Sequence, residues 1–270
     1  MPIMNTFADP AGWIEPDNVP RPVVTFGIVT TEFEGLELDF HRHAKGQIMF
    51  VQRGALSCEV EGGLWIVPPR SAIWIPGGAL HAIKATGAFE GYSAFAAAEV
   101  SRGLPSTCCA VSVSPLLREL LVRTASLPAL YEENDINARL TGVLLDELAA
   151  AQVEDLHLPM PADPRLRRIA GEMLEAPASR GTLQSWAERA GMSVRTLERL
   201  IGRETGMSFG RWRQQLGVVL AVKWLAGGAS IQAVAADLGY ESVPSFVTMF
   251  RKALGTSPGR YMAERHSSSM

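Results

Sequence analysis

The chain has 270 residues, 47% hydrophobic and 20% charged, which suits a soluble globular protein with room for two domains. No apolar run approaches the roughly 20 residues that span a bilayer, and the start MPIMNTFADPAGW lacks the basic and apolar stretches of a secretory signal. Three cysteines without CxxC spacing, Cys58, Cys108 and Cys109, argue against a disulfide framework and for reduced thiols in a cytoplasmic protein. The net charge of −3 conceals an asymmetry: residues 1–162 carry −9 and residues 163–270 carry +6. The back half is therefore the part expected to meet a polyanion.

From about 23 to 100 the chain reads as β-structure. Segments such as IMFVQRG, LSCEVEG, LWIVPP and AIWIPG are rich in Val, Ile and Trp, with Gly and Pro every several residues. That is the pattern of a barrel or sandwich with tight turns. Three of the five histidines fall in this stretch: His41, His43 and His81. Residues two apart in a strand point to one side, so His41 and His43 can face the same interior. In IPGGALH, Pro76 and two glycines make a turn ahead of His81.

These residues are similar to the two motifs of the cupin β-barrel. Gly35, His41, His43, Gln47 and Gly54 match the first motif, and Pro76, Gly78 and His81 match the second. The chain departs from the family twice, with Gln47 in place of the usual Glu and Ala85 in place of the final Asn. Three imidazoles and an amide oxygen can still hold a borderline divalent metal such as Zn, Ni or Fe(II), less tightly than a site with a carboxylate. Three readings of His41, His43, Gln47 and His81 stay open: a metal held as part of sensing, a metal-free pocket that hydrogen-bonds an organic effector, or a satisfied structural cluster. Phe50, Trp65, Trp74 and Ile75 lie near the histidine segments and are either core or an apolar effector wall.

From about 114 the period becomes helical. Leu116, Leu117, Leu120 and Leu121, then Leu140, Val143, Leu144, Leu145 and Leu148, predict a helical hairpin over 111–150 with Pro128 in its connection. The hairpin is expected to make a dimer contact, the alternative being that it packs only on the barrel. The polar stretch 151–164, with three prolines, reads as a linker.

The remainder repeats itself. Leu183, Gln184, Ala187 and Gly191 match Ile231, Gln232, Ala235 and Gly239 at an offset of 48. After one inserted residue, Ser193, Leu197, Ile201, Gly206, Ser208, Gly210 and Trp212 match Ser242, Phe246, Phe250, Gly255, Ser257, Gly259 and Tyr261 at an offset of 49. Each copy predicts a short helix, a turn at glycine, a serine cap and a second helix, the arrangement of a helix-turn-helix. Thr196 stands where a capping box would place Glu. A long helix, SFGRWRQQLGVVLAVKWLAG, would join the two units.

Two such units in tandem resemble the AraC/XylS family of bacterial regulators over about 165–265. The resemblance is carried by AERAGMSVRTLERLIGRETGMSFGRWRQQ and by IQAVAADLGYESVPSFVTMFRKALGTSPGRYM. It implies that the second helix of each unit enters a major groove. Base-facing candidates in the first unit are Arg195, Glu198 and Arg199, with Ser193, Thr196 and Arg203 beside them. In the second they are Val243, Pro244, Val247 and Thr248, with Ser242, Ser245 and Arg251. Many relatives carry polar or basic side chains where this chain has Val243 and Pro244, and Met262 replaces an Arg that often follows the terminal Tyr. The first unit is thus expected to read bases and the second to anchor.

The fold expected is multidomain α+β. A cupin-like sensor occupies 1–110, followed by the hairpin, the linker and an all-α double helix-turn-helix domain over 165–266. The function expected is a cytoplasmic, homodimeric transcription regulator. It would bind double-stranded DNA, respond to a small-molecule or metal effector, and contact RNA polymerase if it is an activator. The alternative is a cupin metalloenzyme with an accessory DNA-binding domain. Against it, an enzyme would keep the acidic ligand and has no need of a tandem DNA reader.

Overall fold

The computed structural model describes residues 3–5, 14–30, 36–60, 62–85, 88–132, 135–154, 156–179 and 181–266. Gly35, the first residue of the barrel motif, lies outside them. The chain divides into two compact units. The first comprises Met1–Val60 and Trp65–Leu156, and the second comprises Glu61–Leu64 and His157–Met270.

The first unit is built on two sheets. One sheet has the order β1-β2-β9-β4-β7-β10-β11, from β1 (Ile3–Asn5), β2 (Val23–Thr30), β4 (Gly46–Arg53), β7 (Ser71–Ile75), β9 (Phe89–Ala96), β10 (Cys109–Ser112) and β11 (Val153–Glu154). The other contains β6-β5-β8-β3, from β3 (Leu36–His41), β5 (Leu56–Val60), β6 (Gly63–Val67) and β8 (His81–Ala85). β1 runs parallel to β2, while the pairs β2–β9, β9–β4, β4–β7, β7–β10, β10–β11, β3–β8 and β8–β5 are antiparallel.

Side-chain alternation along the first sheet sorts its residues into two environments. Ile48, Phe50, Ala72, Trp74, Ala94 and Val111 face outward and are covered by a helical hairpin, α1 (Pro115–Ala125) and α2 (Ile136–Ala149). The hairpin contributes Leu117, Leu120, Leu121, Leu144 and Leu148 to this core. Its helices start at Ser114 and Asp135, whose side chains accept from Leu117 N and from Asn137 N and Ala138 N. The hairpin thus packs on the sheet through five leucines, while Leu116, Ile136 and Val143 remain 51%, 68% and 44% exposed.

The stretch 151–164 is not uniformly extended. It carries β11 and β12 (His157–Pro159), and the boundary between the units falls within it, after Leu156. Within the second unit, Trp212 Nε1 donates to Pro159 O at 2.6 Å and Gln215 Nε2 to His157 O at 3.0 Å. Those bonds give the segment partners that composition does not reveal.

The second unit is all helical beyond β12. Its elements are α3 (Pro164–Glu175), α4 (Leu183–Arg189), α5 (Val194–Thr205), α6 (Phe209–Ala226), α7 (Ile231–Asp237), α8 (Val243–Leu254) and α9 (Pro258–His266). The 18-residue α6 is buried from Val218 through Val222 and joins the two repeats. In the first repeat Trp186, Ala187, Leu197, Leu200 and Ile201 form the core, with Leu183 only half-buried. In the second, an aromatic chain runs Tyr240, Phe246, Phe250, Tyr261 with ring centroids 5.6–5.9 Å apart. Among the described residues no helix is long and apolar enough to cross a membrane.

Candidate metal centre and nucleic-acid interface

His41 and His81 are cross-strand partners where β3 meets β8, and His43 follows two residues beyond the strand end. Gly78 lets the chain arrive at His81. The turn Pro76–Ala79 closes through Ala79 N to Pro76 O at 3.2 Å, with Gly78 at φ +83°, a conformation that side chains resist. Gly78 N also donates to His43 O at 2.8 Å, which fastens this turn to the first histidine segment. The ring centroids lie 4.3 Å (His41–His81), 5.1 Å (His43–His81) and 6.0 Å (His41–His43) apart. One ring nitrogen from each lies within 4.8 Å of the others.

The tautomers follow from the partners. Nδ1 of His41 is 2.7 Å from Asp39 O, Nδ1 of His43 is 2.5 Å from Lys45 O, and Nδ1 of His81 is 2.9 Å from Ala79 O. A carbonyl oxygen only accepts, so each Nδ1 carries a proton and Nε2 is the nitrogen left for another partner. Burial brings the His81 pKa down to about 4, against the Ala79 hydrogen bond and helped by His41 and His43, so this ring is neutral at pH 7.

Gln47, from β4, completes the group. Its Oε1 stands 3.1 Å from His43 Nε2 and 3.2 Å from His81 Nε2, while its Nε2 donates to Ser93 Oγ at 2.8 Å. The Nε2 atoms of His43 and His81 and the Oε1 of Gln47 thus point at one another, a donor set that a cation can bridge. The residues therefore fit a divalent metal: three imidazoles and one amide oxygen, with every imidazole oriented by a backbone carbonyl through its Nδ1.

Beside this group is a cavity of about 120 Å³. Phe26, Ile28, Leu38, Met49 and Phe95 form its apolar wall, and Arg42 and Glu15 are its charged side chains. None of Phe50, Trp65, Trp74 and Ile75 lines it. Phe50 and Trp74 belong to the outward core under the hairpin, because alternation from Gln47 and Met49 turns Ile48 and Phe50 the other way.

One wall comes from an element that sequence reasoning passed over. The segment 14–21 contains a 3-10 turn, Pro16–Asn18, and contributes Ile14, Glu15 and Pro16 to the cavity. Lys45, 7% exposed, holds it by donating from Nζ to Pro16 O, Val19 O and Arg21 O at 2.8, 2.7 and 3.1 Å. Burial pulls the Lys45 pKa down, opposed by Asp17 and Glu99. Asp17 accepts from Ala44 N and Lys45 N at 2.6 and 3.0 Å. Burial disfavours that carboxylate, but these bonds and the charges of His43 and Lys45 hold its pKa below the ordinary value.

The second unit presents two copies of one device. Gly191 and Gly239, at φ +66° and +77°, let the chain reverse between helices. Met192 N bonds to Ala187 O and Tyr240 N to Ala235 O, at 3.0 and 2.9 Å, so the turn is the same in both. Ala187 and Ala235 are 0% and 2% exposed where the helices meet. Ser193 Oγ accepts from Thr196 N at 3.2 Å and Ser242 Oγ from Ser245 N at 3.4 Å, and in each pair the two hydroxyl oxygens are 2.9 Å apart. The Ser193 and Ser242 hydroxyls cap the two helices, and the Thr196 and Ser245 hydroxyls bond to those caps.

On α5, Arg195, Glu198 and Arg199 are exposed and make no side-chain hydrogen bond or ion pair among the described residues. Arg203 is exposed too, but pairs with Glu204 at 3.1 Å. On α8, Pro244 and Thr248 are exposed and Val243 and Val247 half-buried. Thr248 Oγ1 donates to Pro244 O at 2.8 Å, turning its proton inward, and Arg251 is exposed in the last turn. The two presented faces therefore differ in chemistry as their sequences do.

Residues 186–264 match a family model described as a helix-turn-helix domain. The chain is 42% identical over 250 residues to the HTH-type transcriptional regulator NimR of Escherichia coli strain K12, covering 92% of this chain and 90% of that protein. Among solved structures, it is similar to ToxT from Vibrio cholerae O395, with a TM-score of 0.40, 10% identity, and coverage of 91% and 99% of the two chains. It is also similar to the DNA-binding domain of AdpA in complex with a target DNA, with a TM-score of 0.37, 28% identity, and coverage of 40% and 97%.

Proposed function

The chain belongs to the AraC-type family of helix-turn-helix transcription regulators, and we propose that it is an effector-responsive member whose histidine pocket controls operator binding. The reading rests on one observation: a ring nitrogen from each of three imidazoles and Gln47 Oε1 converge beside an apolar cavity in a protein whose other unit reads DNA. His41, His43, His81 and Gln47 hold a divalent metal there. The metal supplies a Lewis-acidic site for a ligand atom. The chain's own contribution is to orient the rings through the Asp39, Lys45 and Ala79 carbonyls and to wall the cavity with apolar side chains and the segment 14–21.

On DNA, Arg195, Glu198 and Arg199 read base edges from α5. The apolar start of α8, Val243 and Pro244 with Val247, offers contact only to groups such as a thymine methyl. Thr248, Ser242 and Ser245 stand beside it, and Arg251 and Arg203 lie close enough to the groove-entering helices for phosphate contacts. Ser193 and Thr196 shape the start of α5 and do not read bases themselves. The protein acts in the cytoplasm as a homodimer through the hairpin. An activating role would add a contact to RNA polymerase.

The test combines metal analysis with a mobility-shift titration on DNA flanking the protein's own gene. The wild type carries about one divalent ion per chain, and its operator affinity changes when a chelator removes it. The triple variant His41→Ala, His43→Ala, His81→Ala loses the ion and the response. Unchanged metal content and unchanged response in that variant would remove the sensing role and leave a ligand-independent DNA binder.

A further inference from the structure

We propose that the metal-loaded pocket takes a small organic carboxylate as its effector, with a carboxylate oxygen on the metal and a compact apolar body against Phe26, Ile28, Leu38, Met49 and Phe95. The inference rests on the metal reading above and adds the chemical class of ligand.

Charge decides the class. The donors are three neutral imidazoles and a neutral amide, so a divalent ion keeps its full charge of two at this site. A glutamate at the position of Gln47 would halve it. Among the described residues, the charged side chains around the donors are Arg42 and Lys45 against Glu15, Asp17 and Glu99. Arg42 and Glu15 both line the cavity, and the buried Lys45 lies beside Asp17, which accepts from its backbone N–H. The ion's charge is thus uncompensated by its ligands, and the described side chains around it offset at most one unit of it. Opposite it lies an apolar wall, where an uncompensated charge attracts a counter-charge far more strongly than in water. A neutral ligand would leave that charge unanswered.

Size and shape narrow the ligand further. A cavity of about 120 Å³ is close to the volume that accommodates one benzene-sized ring. The rings of Phe26 and Phe95 meet edge to face at 6.0 Å, and Phe95 meets His43 edge to face at 5.1 Å. A flat apolar body lying on this surface would carry its acid group toward the histidines. Gln47 is then the residue that sets specificity for an anion, while Ser93 holds its amide in the orientation that presents Oε1.

The test uses the full-length protein loaded with Co(II), whose visible absorption reports changes in its ligands. Benzoate is titrated against benzamide, a neutral compound of the same size. In the wild type, benzoate should change the Co(II) bands and bind at least about tenfold more tightly than benzamide. In Gln47→Glu, Co(II) should bind more tightly and benzoate at least about tenfold more weakly. Equal affinity for the two probes, or full benzoate affinity in Gln47→Glu, overturns the proposal while leaving the metal site standing. A Co(II) spectrum identical to that of His41→Ala overturns the metal reading itself, and this inference with it. If Gln47→Glu does not load Co(II), the benzoate-to-benzamide ratio in the wild type decides alone.

Discussion

Lys45 shows how much one side chain settles in the first unit. Its ammonium spends its three protons on three backbone carbonyls, those of Pro16, Val19 and Arg21. Its own carbonyl orients His43. The same residue therefore fastens the segment 14–21 and fixes the Nδ1 proton of a candidate metal ligand. Lys45→Met keeps the stem and leaves three acceptors without a donor. It should cost about 2–4 kcal/mol, read as a lower urea midpoint for the sensor unit. A cost under about 0.5 kcal/mol would show those carbonyls to be solvated in solution. At the DNA face, Arg199→Ala should cost about 1–3 kcal/mol of operator affinity and relax sequence preference at one position. A uniform loss on every DNA would assign Arg199 to a phosphate. The histidines were legible because two-residue spacing and a Pro-Gly turn are local signals. Lys45 was not, because its acceptors lie 24–29 residues away and are backbone atoms. Ser93, 46 residues from Gln47, was hidden for the same reason.

The α1–α2 hairpin shows what periodicity can and cannot resolve. The leucine spacing located both helices, yet it did not separate leucines that meet the sheet from those that do not. The structure does: Leu144 is 0% exposed and Val143 is 44% exposed on the same turn. The two kinds of residue should fail differently. Leu144→Ala removes packing against Trp74 and its neighbours and should cost about 2–5 kcal/mol, seen in urea unfolding. The pair Leu116→Asp and Val143→Asp should change stability by no more than about 0.5 kcal/mol each, since neither is buried. If the hairpin joins two subunits, that pair should convert a dimer to a monomer in sedimentation. A variant that sediments like the wild type would end the dimer reading for this face. Substituting Leu120 and Leu144 would not test it, because both lie in the core and their loss unfolds the unit. Helices α5 and α8 were legible almost to the residue, since glycine turns and serine caps bound them. Strand order was not: β2 pairs with β9, 59 to 73 residues on, through hydrogen bonds that any sequence can make.

Across the molecule, charge is divided as function is. Residues 163–270, which carry the helix-turn-helix repeats, are +6 and residues 1–162 are −9, so nonspecific attraction to a polyanion belongs to the helical unit. The two units have separate cores, and a signal between them is a coupling free energy, which must be reciprocal. That makes the proposed regulation measurable without knowing the natural effector. If Ni(II) in the histidine pocket changes operator affinity by some factor, saturating operator must change Ni(II) affinity by the same factor in the same direction. Both should be measured by titration in one buffer, since a protein making several phosphate contacts loses affinity steeply with salt. A typical coupling of about 1–3 kcal/mol corresponds to roughly 5–150-fold on each side of the cycle. In His41→Ala both factors should fall to one together, because a single binding event generates them. Operator affinity that responds to Ni(II) while Ni(II) affinity ignores operator would break the cycle. The metal would then be acting somewhere other than the pocket, and the histidines would return to a structural role.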